Sequence, residues 1–569
     1  MCNLHKMKYI FRLYLAFVSF LFLFSCVDSK EASTQPIVSY DPVSPAVIRS
    51  HMAFLADDLL EGREAGTRGE AISARYIASV FEALGLIPRG DNGTFFQTVP
   101  LLSYSIDLDK TVFRIKQNGQ WRELANGGDV AIFGEPSLPD ITAEGGLVFA
   151  GYGITAPDID QDDYAGLDVE GKFVVVIGGV PPYLPATEAA LFGSTQEKVR
   201  TAHEHGAIGL IRIHTPDEEK IISFDTIRPF LSQSLQTLRQ NPNASDDNAV
   251  AIPSFRMTYE VSQTLFEAAG HRLDVLIEQS RTYPVAGFPI NASAYLKQIT
   301  QIDNSIKSAN VAGLLKGQHP QLANEYIVVT AHYDHVGICR PDWAKDRICN
   351  GAIDNALGVA AMLDLARQLS GVAEKGLDRS ILFLAVGAEE KGLLGSRYFV
   401  ESPTVSLESI IANINMDGGL PYFHFSDVIA FGAEQSEMGE RLATALAPLN
   451  IKVAPDPFPE QRIFTRSDQY SFVKAGIPAL FLYNGFTAVD GNYVGRALWD
   501  ETLARHYHTP SDDLSRPIDY QAAAQLGNVF LRTLETVANT AERPLWYTDS
   551  TVGNRFAPEA PKAKNRDDQ

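Results

Sequence analysis

Five stretches in the second half of the chain place acids or histidines where apolar runs end: His332-Tyr-Asp334-His335, Asp354-Asn355, Glu389-Glu390, Asp417-Gly-Gly and Tyr507-His508. Taken singly, each has an ordinary explanation. His332 alone reads as a structural histidine, Glu389-Glu390 as an acidic pair favoured by a helix N-terminus, and Asp354-Asn355 as a turn or N-cap. Gathered on one edge of a sheet, they do not. Carboxylates crowded in a crevice raise one another's pKa until the site protonates or opens, and a pair of divalent cations would neutralise them. A donor set mixing imidazole with carboxylate points to zinc, with manganese or cobalt less favoured, rather than to calcium. There is no Gly-x-Ser-x-Gly elbow and no His-Glu-x-x-His helix in the sequence.

The elements that must position these residues follow from periodicity. Apolar strand candidates at 326–331, 381–387, 410–416, 428–432 and 479–483 alternate with helical stretches at 357–369, 439–446, 469–475 and 520–536. That alternation predicts an α/β fold, a mixed and mostly parallel sheet sandwiched by helices. In such sheets functional residues collect beyond the carboxyl ends of the strands. Two helices precede it. The first follows Ser44-Pro45, with Val47, Ile48, Met52, Leu55, Leu59 and Leu60 near the 3.6 period; the second runs over 70–84 and stops at Gly85. Residues 126–284 read as a separate, smaller unit, with strands at 146–150, 173–177 and 208–213 and a helix at 195–204. His203 and His205, two apart on that helix, face different ways and read as surface residues. Strands near 292–300 and 309–315 lead back to the main sheet.

Composition narrows the function classes. The chain has 569 residues, 45% hydrophobic and 21% charged, which excludes a disordered protein. Its net charge is −21 and no Lys/Arg cluster interrupts it, so nucleic acid is not an expected partner. Residues 1–25 carry Lys6, Lys8 and Arg12, then an uncharged apolar run, the layout of a secretory signal. The run ends in Leu23-Phe24-Ser25-Cys26, which resembles a bacterial lipobox; the expectation is a lipid anchor at Cys26, with ordinary signal cleavage as the alternative. Residues 26–44 read as a tether, and the compartment as the bacterial periplasm or cell envelope. No later segment reaches the ~18 apolar residues of a membrane span. In an oxidising compartment Cys339 and Cys349 read most simply as a disulfide, against the rival of a second metal site.

In order and flanking context, His332-x-Asp334, Asp354-Asn355, Glu389-Glu390, Asp417 and His508 resemble the dinuclear zinc exopeptidases that include bacterial secreted leucyl aminopeptidases and glutamate carboxypeptidases. The resemblance covers about 46–536. It implies a catalytic domain of 45–125 plus 285–540, a protease-associated (PA) domain inserted at 126–284, and a C-terminal tail at 541–569. It implies two zinc ions per chain: His332 and Asp417 on one, Glu390 and His508 on the other, Asp354 bridging. Glu389 would be the general base, Asp334 would orient His332, and Tyr507 would help hold the oxyanion. The expected reaction is hydrolysis of N-terminal residues from peptide substrates by water activated between two metals. A carboxypeptidase or dipeptidase on the same core, and a receptor that has lost catalysis, are the alternatives. Arg462, Arg466 and Arg496 bear on the first, because arginines hold substrate carboxylates in glutamate-preferring relatives. One departure from the family pattern is Gln469, where many relatives have histidine. Oligomeric state is left open.

Overall fold

The computed structural model describes residues 42–239, 252–371 and 376–564. The expected leader, the lipobox cysteine and most of the tether lie outside them. Helix α1 (Pro45–Leu55) buries Ile48, Met52 and Leu55. Helix α2 (Arg68–Ala83) begins at Thr67, whose side chain accepts the backbone N–H of Glu70, half of a capping box. Then come β1 (Phe96–Ile106), β2 (Val112–Gln117), β3 (Gln120–Leu124), β4 (Asp140–Phe149), β5 (Phe173–Ile177), α3 (Ala186–Gly193), α4 (Thr195–Glu204), β6 (Gly209–Ile213), β7 (Ser254–Met257) and the 28-residue β8 (Phe288–Leu315). The second half holds β9 (Tyr326–His332), α5 (Leu357–Ser370), β10 (Ser380–Val386), α6 (Leu394–Glu401), β11 (Ile410–Asn415), β12 (Asp427–Phe431), α7 (Gln469–Lys474), β13 (Ala479–Asn484), α8 (Gly495–Arg505) and α9 (Tyr520–Asn539).

The main sheet runs β1, β8, β10, β9, β11, β13, β12. Its four inner strands are parallel, and the flanking pairs are antiparallel. Strands β10 and β11 are buried along their whole length, as expected where helices cover both faces of parallel strands. Phe399 of α6 and Phe472 of α7 pack with Val328, Leu382 and Leu384 in one buried cluster, while α1, α5 and α9 pack against one another. A second set of strands runs β3, β2, β8, β4, β5, β6, β7.

The two sets share β8, whose residues 292–297 pair with β2 and whose residues 300–311 pair with β1. The sequence suggested two strands here. The polar stretch between them continues as strand because β1 supplies its ladder partner, and no apolar signal was needed. Residues 541–564, expected as a tail, pack onto the core. Trp546 and Tyr547 pair with Lys562 and Ala563, both aromatics are buried, and the Trp546 indole N–H donates to the Gly476 carbonyl at 2.9 Å.

Candidate metal centre and cleft

Parallel pairing sets His332 opposite Val386, so the turns leaving β9, β10 and β11 emerge at one edge, as expected for the carboxyl ends of such strands. Asp354 comes from the turn before α5, where the Asp354–Asn355 peptide is cis. The Asn355 side chain ties that turn to the loop after β11: its amide donates to the Met416 carbonyl at 2.8 Å, and its oxygen accepts the N–H groups of Gly358 and Gly418, both at 3.0 Å. Asp512 accepts the N–H groups of Ile353 and Asp354, fixing the turn from the other side. His508 arrives from the loop after α8.

The polar atoms converge as two groups. His332 Nε2 lies 3.1 Å from Asp417 Oδ1 and 3.2 Å from Asp354 Oδ1. His508 Nε2 lies 3.1 Å from Glu390 Oε2 and 3.3 Å from Asp354 Oδ2. Atoms bound to a tetrahedral zinc at about 2.0–2.1 Å sit about 3.3 Å apart, so these spacings suit two such ions, with one Asp354 oxygen facing each. The hydrogen bonds agree. His332 Nδ1 faces the Asp334 carbonyl at 3.2 Å and must donate to it, which leaves the Nε2 lone pair facing two carboxylate oxygens, an arrangement that needs a cation or a proton between them. His508 Nε2 has no aligned hydrogen-bond partner among the described residues. Burial would lower the His508 pKa, yet Glu390 and Asp354 push it up to about 10, so without a metal the ring itself would carry the charge.

Glu389 stands beside this cluster without entering either group of close donor atoms. Burial, reinforced by the Glu390 and Asp417 carboxylates, raises it well above the usual carboxylate range, so it holds a proton more readily than its neighbours. Asp334 is wholly buried. Its carboxylate lies 3.9 Å from His332 Nδ1 and accepts instead the N–H groups of Glu389 and Glu390. It therefore reaches His332 through its backbone and the Glu389-Glu390 turn through its side chain. Tyr507 lines the cleft and stacks on His508 with ring centroids 3.8 Å apart. Ser467 donates to Asp417 Oδ2 at 2.5 Å. Gln469 is buried and bonded to Asn415 and the Phe464 carbonyl, so its departure from histidine leaves no gap.

The cleft opens to solvent, and the space in and over it free of protein atoms is about 860 Å³. Ile463, Phe481, Tyr483, Trp499 and Leu503 make an apolar wall beside the polar cluster. Of the three arginines, Arg466 alone lines it; Arg462 donates to the Gly193 carbonyl of α3 and Arg496 pairs with Asp500. Cys339 and Cys349 are bonded, with Cα atoms 5.8 Å apart. Their loop lines none of the cleft and packs on residues 58–63. His203 and His205 are exposed on and just beyond α4, far in sequence from any of these donors.

Two residues in the site had gone unassigned. Arg63 is buried and donates to the carbonyls of Leu55, Tyr333, Asn350 and Gly351, bracing the backbone on both sides of the cluster. Nothing in Asp-Leu-Leu-Glu-Gly-Arg63 announces that. His335 is buried among Asp354, Glu390 and His508; its place in the His-x-Asp-His run was the available signal.

Residues 310–534 match the model of Peptidase family M28, and residues 142–265 match the PA domain. Aminopeptidase YwaD from Bacillus subtilis is 37% identical over 247 residues, 42% of this chain and 46% of that protein. The probable lipoprotein aminopeptidase LpqL from Mycobacterium tuberculosis is 25% identical over 373 residues, 63% of this chain and 61% of its own length. The matched stretches thus span about half to three fifths of these relatives. Among solved structures, an aminopeptidase from Aneurinibacillus sp. strain AM-1 superposes with a TM-score of 0.48 at 20% identity, covering 88% of this chain and 96% of that one. Residues 310–534 are thus similar to peptidase family M28, and residues 142–265, which precede them in the chain, to the PA domain.

Proposed function

We propose that this protein is an exported aminopeptidase that holds two zinc ions and removes N-terminal residues from peptides. The observation that carries the reading is the pairing of donor groups at 3.1–3.3 Å around one shared carboxylate, Asp354, with Glu389 beside them and free of both. In this reading His332 and Asp417 hold one ion, Glu390 and His508 the other, and Asp354 both. Ions held there would supply the charge that lowers the pKa of a nearby water and polarises a scissile carbonyl. Glu389 takes the proton from that water and returns it to the leaving amine. Tyr507, stacked on His508 at the cleft wall, donates toward the oxyanion as charge develops. The apolar wall of Ile463, Phe481 and Trp499 receives the terminal side chain. The catalytic part is built from the segments on either side of the insert, residues 541–564 among them, and the chain is attached to the bacterial envelope through a lipid at Cys26. No helix among the described residues is long and apolar enough to cross a membrane.

Arg466 favours a second reading. It lines the cleft and makes no ion pair among the described residues, so it is available to a substrate carboxylate, as a carboxypeptidase or dipeptidase would require. One panel decides: amino-acid p-nitroanilides beside N-blocked dipeptides with free carboxyl ends, with chelator and zinc add-back. Zinc-restored cleavage of the free-amine substrates alone supports the aminopeptidase. Cleavage of the blocked substrates alone moves the assignment to carboxypeptidase, and silence on both with two zincs bound favours a receptor.

A further inference from the structure

His335 closes the His332-Tyr-Asp334-His335 run, is fully buried, and has no part in the ligand set above. Its backbone is anchored: the His335 N–H donates to the Arg63 carbonyl at 3.2 Å. Its ring is caged as well. A Cβ on Gly351 would stand 2.6 Å from the imidazole, so only glycine leaves room for the ring where it is. The ring meets His508 edge-on, with centroids 5.3 Å apart. Nδ1 approaches Glu390 Oε1 to 2.7 Å, a close contact not aligned as a hydrogen bond, and neither these two atoms nor His335 Nε2 makes an aligned hydrogen bond among the described residues. A buried imidazole aimed at a cluster of donors is either another ligand or the support of one.

The distances separate these. His335 Nδ1 lies 4.0 Å from Asp354 Oδ2. An ion bonded to both at about 2.0–2.1 Å would have them almost in line, whereas neighbouring tetrahedral ligands are about 3.3 Å apart. The pairs that include His508 Nε2, at 3.1 and 3.3 Å, keep the tetrahedral spacing; His335 does not. It touches Oε1 of Glu390, while His508 faces Oε2.

Resting on the two-ion reading above, we infer that His335 is a positioning residue for the metal position formed by Glu390 and His508. Its Nδ1, in close contact with Glu390 Oε1, restrains that carboxylate so that Oε2, the oxygen facing His508, is the one left for the ion. Without that restraint the carboxylate can rotate and offer either oxygen, and the ion is held less tightly. Losing a supporting group of this kind typically costs about 10–100-fold in metal affinity.

The test is stepwise zinc binding to the metal-stripped full chain, by calorimetry and competition with a chromophoric chelator, in the wild type, His335→Ala and His335→Asn. An asparagine amide nitrogen occupies nearly the place of Nδ1 and can donate to the same oxygen. The expected result is two zinc ions in each protein. One step should weaken about 10–100-fold in the alanine variant, the other should be unchanged, and asparagine should recover most of the loss. Cobalt-substituted His335→Asn should keep the wild-type visible spectrum, because no ligand has been removed. Unchanged zinc affinity in His335→Ala overturns the inference. So does an asparagine variant as weak as alanine with an altered cobalt spectrum, which would make His335 a ligand. Should the alanine variant not fold, the asparagine variant's affinity and spectrum carry the decision alone. A wild type that takes up fewer than two zincs overturns the two-ion reading and this inference with it.

Discussion

Asp334 Oδ1 accepts the backbone N–H of Glu389 at 3.0 Å, and Asp334 Oδ2 that of Glu390 at 3.3 Å. One buried carboxylate at the end of β9 thus clamps the turn that leaves β10, and with it the expected base and one expected ligand. Asp334→Ala strands both N–H groups and releases the turn. Zinc affinity should fall about 10–100-fold, read by the same competition titration. Asp334→Asn should lose less, since one acceptor oxygen remains. Equal zinc affinity in the alanine variant and the wild type would refute the clamp.

Glu389→Gln keeps the shape of the side chain and removes its proton affinity. Hydrolysis should fall by about 10²–10⁴ in kcat, while two zincs still bind, because Glu389 belongs to neither donor group. Turnover at the wild-type rate would remove Glu389 from the role of base. Loss of a zinc instead would make it a ligand.

Arg63 tests how far the cluster depends on a residue outside it. Its guanidinium serves four carbonyls, from Leu55, Tyr333, Asn350 and Gly351. Arg63→Met fills similar space but leaves those carbonyls without their donor, at about 1–3 kcal/mol for each that water cannot reach. Denaturant titration should show a loss above about 3 kcal/mol. A loss below 1 kcal/mol would mean that water replaces the guanidinium freely.

The disulfide makes a prediction of a different kind. Cys339 and Cys349 close a short loop, ten residues apart, for which the loop-entropy model gives about 2–3 kcal/mol. Since that loop does not line the cleft, Cys339→Ser with Cys349→Ser should lower the denaturation midpoint while leaving KM on a p-nitroanilide within about twofold. A KM shifted by an order of magnitude at full zinc occupancy would place the loop in substrate binding after all.

What could be read from the sequence, and what could not, divides along physical lines. Strands β9, β10, β11 and β13 were visible because each is buried on both faces and reads as a continuous apolar run. His332, Glu389, Glu390 and Asp417 stood out because each follows such a run, and Asp354 because it stands just before an apolar helix; His508 has no such run beside it and stood out through the family resemblance. Helix α8 was not visible. It buries only Gly495 and carries just a weak apolar stripe, yet it lends Trp499, Thr502 and Leu503 to the cleft wall. Arg63 was hidden for another reason: its partners are backbone carbonyls, which leave no trace in the sequence. The tail misled because Trp546 and Tyr547 bury themselves without a periodic pattern around them.

Glu70 links α2 to β8 and supplies a pH dependence through a residue outside the metal-ligand set. It is buried, with Oε2 accepting the Gly66 N–H at 2.6 Å and Oε1 bonded to the Ser308 hydroxyl. Burial raises its pKa from 4.5 to about 8, against the pull of those two hydrogen bonds. Between these values the unfolded chain has lost the proton that the folded protein keeps, so stability falls as pH rises. The contribution is full below pH 4.5 and gone once the pH passes about 8. Its size is on the order of a few kcal/mol. Glu70→Gln cannot titrate, so its urea midpoint should gain on the wild type steadily from pH 5 to pH 8. Parallel midpoints across that range would mean that Glu70 is ionised in the folded protein and that its charge is compensated there.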